Sequence, residues 1–159
     1  MKKISEHISW AEATHSFTAK RLGIRNEPRS GKIIENMKAV AENVFEPLRR
    51  HFGVPIKINS FYRSPLLNRL IGGAPTSQHT KGQAIDLDDT YSERYGITNA
   101  DFFRWLCANV EFDQLIWEYG TDKCPDWIHV SYRRDGNNRH EVLRARRING
   151  RTIYERIKC

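Results

Sequence analysis

The residues best suited to chemistry lie in one segment, Ser77-Gln78-His79-Thr80-Lys81-Gly82-Gln83-Ala84-Ile85-Asp86-Leu87-Asp88. From Ala84 onward the aliphatic residues Ile85 and Leu87 alternate with Asp86 and Asp88. A strand with this pattern places both aspartates on one face and the aliphatics on the other. Gly82 supplies backbone freedom for the preceding loop to fold back, which brings His79 beside Asp86. An imidazole and a carboxylate held together are two of the three protein ligands that a catalytic zinc requires. The strongest candidate for the third is His129 in Asp126-Trp127-Ile128-His129-Val130-Ser131. Ile128, Val130 and Tyr132 fill one strand face, and His129 projects from the other.

With His79, Asp86 and His129 holding Zn²⁺, a fourth position stays open for water, whose pKa the metal lowers from 15.7 to about 7. Asp126 lies an odd number of residues before His129, so it is expected in the turn after Pro125, able to take a proton from that water without being a ligand. Arg63, at the end of Ser60-Phe61-Tyr62-Arg63, is placed to stabilise a developing oxyanion or to anchor a substrate carboxylate. The structural alternative for Arg63 is an ion pair with a carboxylate such as Glu118. Trp127 shares the expected face of His129 and could wall a substrate cleft, whereas Trp10, Trp105 and Trp117 are expected in the core. His7, His15, His51 and His140 carry no such context and are read as surface or core side chains.

These residues need a scaffold, and the flanking sequence describes one. Ser9 and Glu12 have capping-box spacing before a helix through Trp10, Ala13, Phe17 and Leu22, which Gly23 stops. A second helix follows Ser30, with Ile33, Met37, Val40, Val44 and Leu48 at helical period, a kink or restart at Pro47 and an end at Gly53. Pro55 to Ser60 reads as a half-buried strand. Ser64-Pro65 opens a helix of about two turns that Gly72-Gly73 ends. Asn99 is expected to cap a helix bearing Phe102, Phe103, Leu106 and Val110. Leu115 to Tyr119 and Ile128 to Tyr132 read as strands, and Asn149-Gly150 marks a hairpin turn. Helices first and strands later predict an α+β domain with a mainly antiparallel sheet flanked by the N-terminal helices. Its parts are a helical 1–53, a metal-site core 54–132 and a basic hairpin 133–159.

At 159 residues the chain suits one domain. An aromatic content of 11% argues against disorder. No apolar run approaches the ~18 residues of a membrane-spanning helix. Lys2 and Lys3 are not followed by an apolar segment, so no signal peptide is expected and synthesis in the cytoplasm is. Cys107, Cys124 and Cys159 are odd in number and far apart, which predicts no disulfide framework and a reducing compartment. Cys124 is expected as a small apolar filler, and Cys107 as a buried residue of the Phe102/Leu106 helix. Residues 133–159 hold nine Arg or Lys against three Asp or Glu, a net of +6 out of the total +7. Such a segment can face an anionic polymer, or be only a solvated hairpin.

Taken in order, the motifs resemble those of the zinc D-Ala-D-Ala carboxypeptidases and their relatives among phage endolysins and van-type dipeptidases. That family's pattern is Ser-x-His-x6-Asp, a later acid-x-x-His and an upstream Tyr-Arg. Ser77, His79 and Asp86 match the first part, Asp126 and His129 the second, and Tyr62-Arg63 the third, over roughly residues 30 to 132. The stretch through Asn26-Glu27-Pro28 also looks like a compact bacterial and phage branch. The resemblance implies a hedgehog/DD-peptidase-like fold with one zinc ion on His79, Asp86 and His129. By the same resemblance Asp126 is the general base, Arg63 the transition-state or carboxylate contact, and Ser77 a substrate hydrogen-bonder. Two departures stand out: many relatives have Glu where this chain has Asp126, and many place Trp immediately before the final His, whereas Trp127 is two before it.

The resemblance implies hydrolysis of peptidoglycan stem peptides at the D-Ala-D-Ala terminus, or at the internal L-Ala-D-Glu bond as in phage endolysins. Action on the cell wall without a signal peptide would need phage-type release. A different class, a catalytically silent wall-binding module stabilised by zinc, is disfavoured by Asp126, because a purely structural site needs no base. Nucleic-acid binding through the basic tail ranks last, since no nucleic-acid motif is visible.

Overall fold

Alternation of apolar and polar residues decides how this chain divides into layers. A computed structural model describes residues 2–159. Strands β1 (Lys57–Ser60), β2 (Ala84–Asp88), β3 (Gln114–Glu118), β4 (Trp127–Ser131), β5 (Glu141–Ile148) and β6 (Arg151–Arg156) form one sheet in the order β1-β2-β4-β3-β5-β6. Every neighbouring pair is antiparallel except β3 with β5. The expected α+β class with a mainly antiparallel sheet is what the chain adopts.

On one face Ile85, Leu87, Leu115, Trp117, Ile128 and Val130 are buried in the main core. The helices that cover them are α3 (Gly31–Val40), α4 (Glu46–Phe52) and α6 (Asn99–Asn109), which contribute Met37, Val40, Leu48, Phe102, Phe103 and Leu106. The opposite face carries Asp86, His129 and Glu118, with a small apolar cluster of Ile116, Leu143 and Ala145. Burying aliphatic side chains on one side leaves the other side free for polar chemistry.

The helical expectations hold in outline and change in detail. The first helix is two short ones, α1 (Trp10–Thr14) and α2 (Phe17–Arg21), because Ser16 leaves helical geometry and caps the second by accepting from the Ala19 N–H. Phe17 is therefore 81% exposed rather than in the core. Pro47 restarts the long helix: it has no N–H to bond the Asn43 carbonyl, and the preceding turn Ala41–Phe45 widens to π geometry before α4 begins. Ser64 caps α5 (Pro65–Leu70) as expected, accepting from the Leu67 N–H. The cap of α6 is Thr98, in a reciprocal capping box with Asp101. Asn99 is the first helical residue, and its side-chain amide is used elsewhere. Trp105 is only half-buried, stacked on His51 with ring centroids 4.9 Å apart.

The cysteine reading needs correcting. Cys107 on α6 and Cys159 form a disulfide, and Cys124 alone is free. Their separation of 52 residues hid the pair in the sequence; β6 returns the end of the chain past β5, where the Ile157 N–H donates to the Val142 carbonyl at 3.0 Å. Among the described residues no helix is long and apolar enough to cross a membrane.

Closing so long a loop restricts the unfolded chain by an amount worth about 4 kcal/mol on a chain-entropy model. Reduction, or the double substitution Cys107→Ala/Cys159→Ala, is expected to lower stability by about 2–4 kcal/mol in denaturant titrations, with far-ultraviolet circular dichroism unchanged under native conditions.

Candidate metal centre and active site

His79 reaches the sheet because the loop before β2 turns sharply. Ser77 precedes a single 3₁₀ turn, Gln78–Lys81, which ends on Gly82 at φ +68°. A Cβ at Gly82 would lie 2.7 Å from the Ile33 carbonyl oxygen, so this close approach to α3 admits no side chain. The Asn36 side-chain amide holds the same turn by donating to the Lys81 carbonyl at 2.9 Å. His79 is thereby buried under the carboxylate face of β2.

Asp86 and His129 meet through register, being direct partners across β2 and β4. Asp86 Oδ1 lies 3.2 Å from His79 Nε2 and 3.0 Å from His129 Nδ1. The potential ligand atoms of the three side chains all fall within 4.8 Å of one another. A tetrahedral zinc with bonds of about 2.0 Å has ligand edges of about 3.3 Å, so the two measured separations already match such an edge. His79 Nδ1 lies 2.8 Å from the Phe61 carbonyl oxygen. That oxygen can only accept, so Nδ1 carries a proton and Nε2 is the ring atom left to a metal. The donor set fits zinc in kind and number.

Burial by itself would raise the pKa of Asp86, but the adjoining His79 and His129 imidazoles outweigh it and hold the carboxyl well below the usual carboxylate range. This favours the ionised carboxylate, the form a metal ligand needs.

Arg63 approaches from the β1 side. Its Nη2 is 4.0 Å from Asp86 Oδ2, while Nη1 donates to Asn68 Oδ1 at 3.0 Å and Nη2 to Ser60 Oγ at 3.4 Å. Its carboxylate neighbour is thus Asp86, not Glu118. Burial pulls the guanidinium pKa down and Asp86 pushes it back. The loop that carries Arg63 is tied by Asn26, whose amide donates to the Thr14 and Tyr62 carbonyls and whose oxygen accepts from the Ser64 N–H at 2.7 Å. Asn68 fastens the same region to the 74–77 loop by donating to the Ala74 carbonyl. Neither asparagine's role was visible in the sequence, because the groups each one bonds are brought close only by folding.

Asp126 sits in the turn after Pro125, outside the three-ligand group, with its side chain exposed. The turn itself is built firmly. Asp126 N–H donates to the Glu118 carbonyl at 2.9 Å, and the Asn99 amide donates to the Pro125 and Asp126 carbonyls at 3.2 and 3.0 Å. Gly120 completes it at φ +67°, where a Cβ would meet the Cys124 oxygen at 2.3 Å. Trp127 lies on the metal face, tilted against Tyr119 with centroids 5.3 Å apart. Ser77 is half-buried at the head of the His79 turn. Asp88 turns to the next loop and accepts from the Thr90 N–H at 2.7 Å.

One acidic group at this face escaped the sequence reading as a site residue. Glu118 is cross-strand from Trp127 and 7% exposed. Burial pushes its pKa up to about 7, with the Asp86 charge adding to the rise and the His129 imidazole opposing it. Tyr154 on β6, two strands from Glu118, is likewise raised, first by burial and then by Glu118, Tyr119 and Asp86. The signal available in the sequence was alternation: Ile116 and Glu118 share the face of His129 once the β3–β4 register is known.

With this geometry in hand, the comparison with known protein families is decisive. The family model described as Peptidase M15 matches residues 6–131, and the chain belongs to that family. It is a metallopeptidase, and M15 peptidases depend on zinc. No curated protein matches this chain. When bound at His79, Asp86 and His129, zinc would supply Lewis-acid chemistry at an open coordination position.

A carboxyl whose folded-state pKa is raised above its ordinary 4.5 stabilises the fold fully below that pH and loses the contribution as pH climbs through about 7. For the metal-free protein, Glu118→Gln should remove a pH-dependent loss of about 3 kcal/mol between pH 4.5 and 8. Parallel urea titrations of the two proteins measure it, and superimposable pH profiles would show that folding leaves the Glu118 pKa unshifted.

Proposed function

We propose that this protein is a zinc peptidase that hydrolyses bonds of bacterial peptidoglycan stem peptides. The reading is supported above all by one observation, the Arg63 guanidinium held 4.0 Å from Asp86 beside three convergent ligand atoms. A Lewis-acid position next to a fixed cation suits a scissile carbonyl whose neighbouring residue bears a free carboxylate. In this reading Asp126 moves the proton of the attacking water, Arg63 holds the carboxylate, Ser77 donates to the substrate backbone and Trp127 walls the cleft.

Two stem-peptide bonds have that character. In D-Ala-D-Ala the terminal residue ends in a carboxylate, the carboxypeptidase case. In L-Ala-D-Glu the glutamate keeps its α-carboxylate free while the chain continues through the γ-carboxyl, the endopeptidase case. Arg63 serves either. A cavity of about 770 Å³ extends beyond Arg63 along β1, far more than a single departing alanine needs, and this favours the endopeptidase reading.

Mass spectrometry after the zinc-loaded protein meets a synthetic stem pentapeptide tests the proposal. Release of a fragment beginning at D-Glu marks the endopeptidase and release of D-Ala the carboxypeptidase. Chelation should abolish either product, and Asp126→Ala should slow it by 10²–10⁴-fold. No product from protein of verified zinc content would instead favour the silent wall-binding module.

The basic hairpin is proposed to hold the protein on anionic wall polymer, through fewer residues than its composition offers. Arg144 is only 12% exposed and pairs with Asp122, and Arg146 pairs with Glu155. Arg147 and Arg151 face solvent. Arg147→Gln/Arg151→Gln should weaken co-sedimentation with purified walls at low salt and leave cleavage of a soluble muropeptide unchanged. Equal sedimentation would make the hairpin a solvated edge only.

A further inference from the structure

The free edge of the sheet nearest the metal centre is β1. Lys57, Ile58, Asn59 and Ser60 all line the 770 Å³ cavity. Consecutive strand residues point to opposite faces, so a cavity touched by four in succession runs along the strand's edge and not over one face. No backbone group of these four residues bonds to a loop or helix among the described residues. A row of unpaired N–H and C=O groups is a template for another extended chain.

The walls of this cleft have a definite chemistry. Leu67 and Ile71, four apart on and just beyond α5, form one apolar wall, and Phe17 on α2 stands at the opposite rim with 81% of its surface open. An aromatic side chain left in water at a cleft mouth forgoes about 2 kcal/mol that a ligand could supply by covering it. Lys57 and Arg63 bring two cations to the cleft against one carboxylate, Glu12, whose Oε2 already accepts from Ser9. The inner end adjoins the His79, Asp86 and His129 group without being lined by it: Ser60 is the cross-strand partner of Asp86 and Arg63 lies beside its carboxylate.

We propose that the substrate peptide lies in this cleft in extended form, paired to β1 as an added strand, with a carboxylate at Arg63 and its apolar side chains against Leu67 and Ile71. The proposal rests on the peptidase reading for the identity of the peptide. Main-chain hydrogen bonds do not depend on the hand of a side chain. Neighbouring L and D residues in an extended chain project to the same side, the reverse of the all-L alternation. In a stem peptide the L residue at the third position and the D-Ala after it therefore project to one side, toward the apolar wall of α5, while the γ-link at D-Glu and the D-Ala-D-Ala end depart from that pattern.

The test uses the zinc-loaded full chain and the synthetic stem pentapeptide L-Ala-γ-D-Glu-L-Lys-D-Ala-D-Ala. Amide spectra are recorded on the Asp126→Ala protein so that the peptide survives, and steady-state cleavage is compared between the parent and Phe17→Ser/Ile71→Ser. Strand addition is expected to shift the amides of residues 57–60 and slow their hydrogen exchange, and the double substitution should raise KM on the order of tenfold with kcat within about twofold. Shifts confined to β1 without cleavage by the parent would support the seat and sink the peptidase reading. Cleavage with unmoved β1 amides and an unchanged KM overturns the seat, and the absence of both shifts and cleavage overturns seat and peptidase together.

Discussion

A buried carboxylate between two imidazoles is the constraint around which the rest is arranged. Asp86 sits where an isolated charge would be costly, and its Oδ1 is within 3.2 Å of both His79 and His129 while Arg63 faces Oδ2. Each partner comes from a different part of the chain: a loop before β2, the neighbouring strand β4, and the segment after β1. Satisfying that one charge without metal therefore requires the turn at Gly82, the β2–β4 register and the Asn26–Asn68 scaffold at once. The same arrangement leaves the three ligand atoms converged for a cation that replaces the internal pairing.

The sheet makes this possible by keeping its two faces chemically separate. Ile85, Leu87, Ile128 and Val130 are committed to the helical layer, and the residues between them have no choice but the other side. A one-residue slip of β2 against β4 would turn Asp86 into the core in place of Ile85 and Leu87 and part it from His129. The burial energy that holds the register is thus also what sets Asp86 beside His129. Further along the sheet Ile116, Leu143 and Ala145 form a small apolar floor, so that Glu118 lies among poorly solvating neighbours and binds its proton more tightly than an exposed glutamate.

Beyond the ligands, the site depends on polar side chains bonded to backbone. Asn26 ties the N-terminal segment to the Arg63 loop, Asn68 holds Arg63 and the 74–77 loop, and Asn99 carries the Asp126 turn. All three are buried, where an amide left unpaired would cost roughly 1–3 kcal/mol. The bonds they make explain how loops, which lack the repetitive bonding of helices and strands, can present Arg63 and Asp126 in fixed places, although Asn99 Oδ1 is left buried without a partner among the described residues.

Local pattern in the sequence determined which residues could be ligands and which elements surround them. The alternation over Ala84–Asp88 and Ile128–Tyr132, the Ser64-Pro65 helix start and the Asn149-Gly150 hairpin are short-range signals, and period and capping chemistry express them without help from the fold. The pairing of Asp86 with His129, the identity of the carboxylate facing Arg63, the acidity of Glu118 and the Cys107–Cys159 disulfide are set by distances between residues remote in sequence. The split of the first helix at Ser16 and the transfer of the α6 cap from Asn99 to Thr98 are local events set by short-range caps, Ser16 on Ala19 and Thr98 with Asp101, among several candidates that propensity ranks only loosely. Sequence named the chemical groups because residue type and spacing carry that information; only the tertiary structure could state their neighbours, since charge, burial and reach are properties of the packed chain.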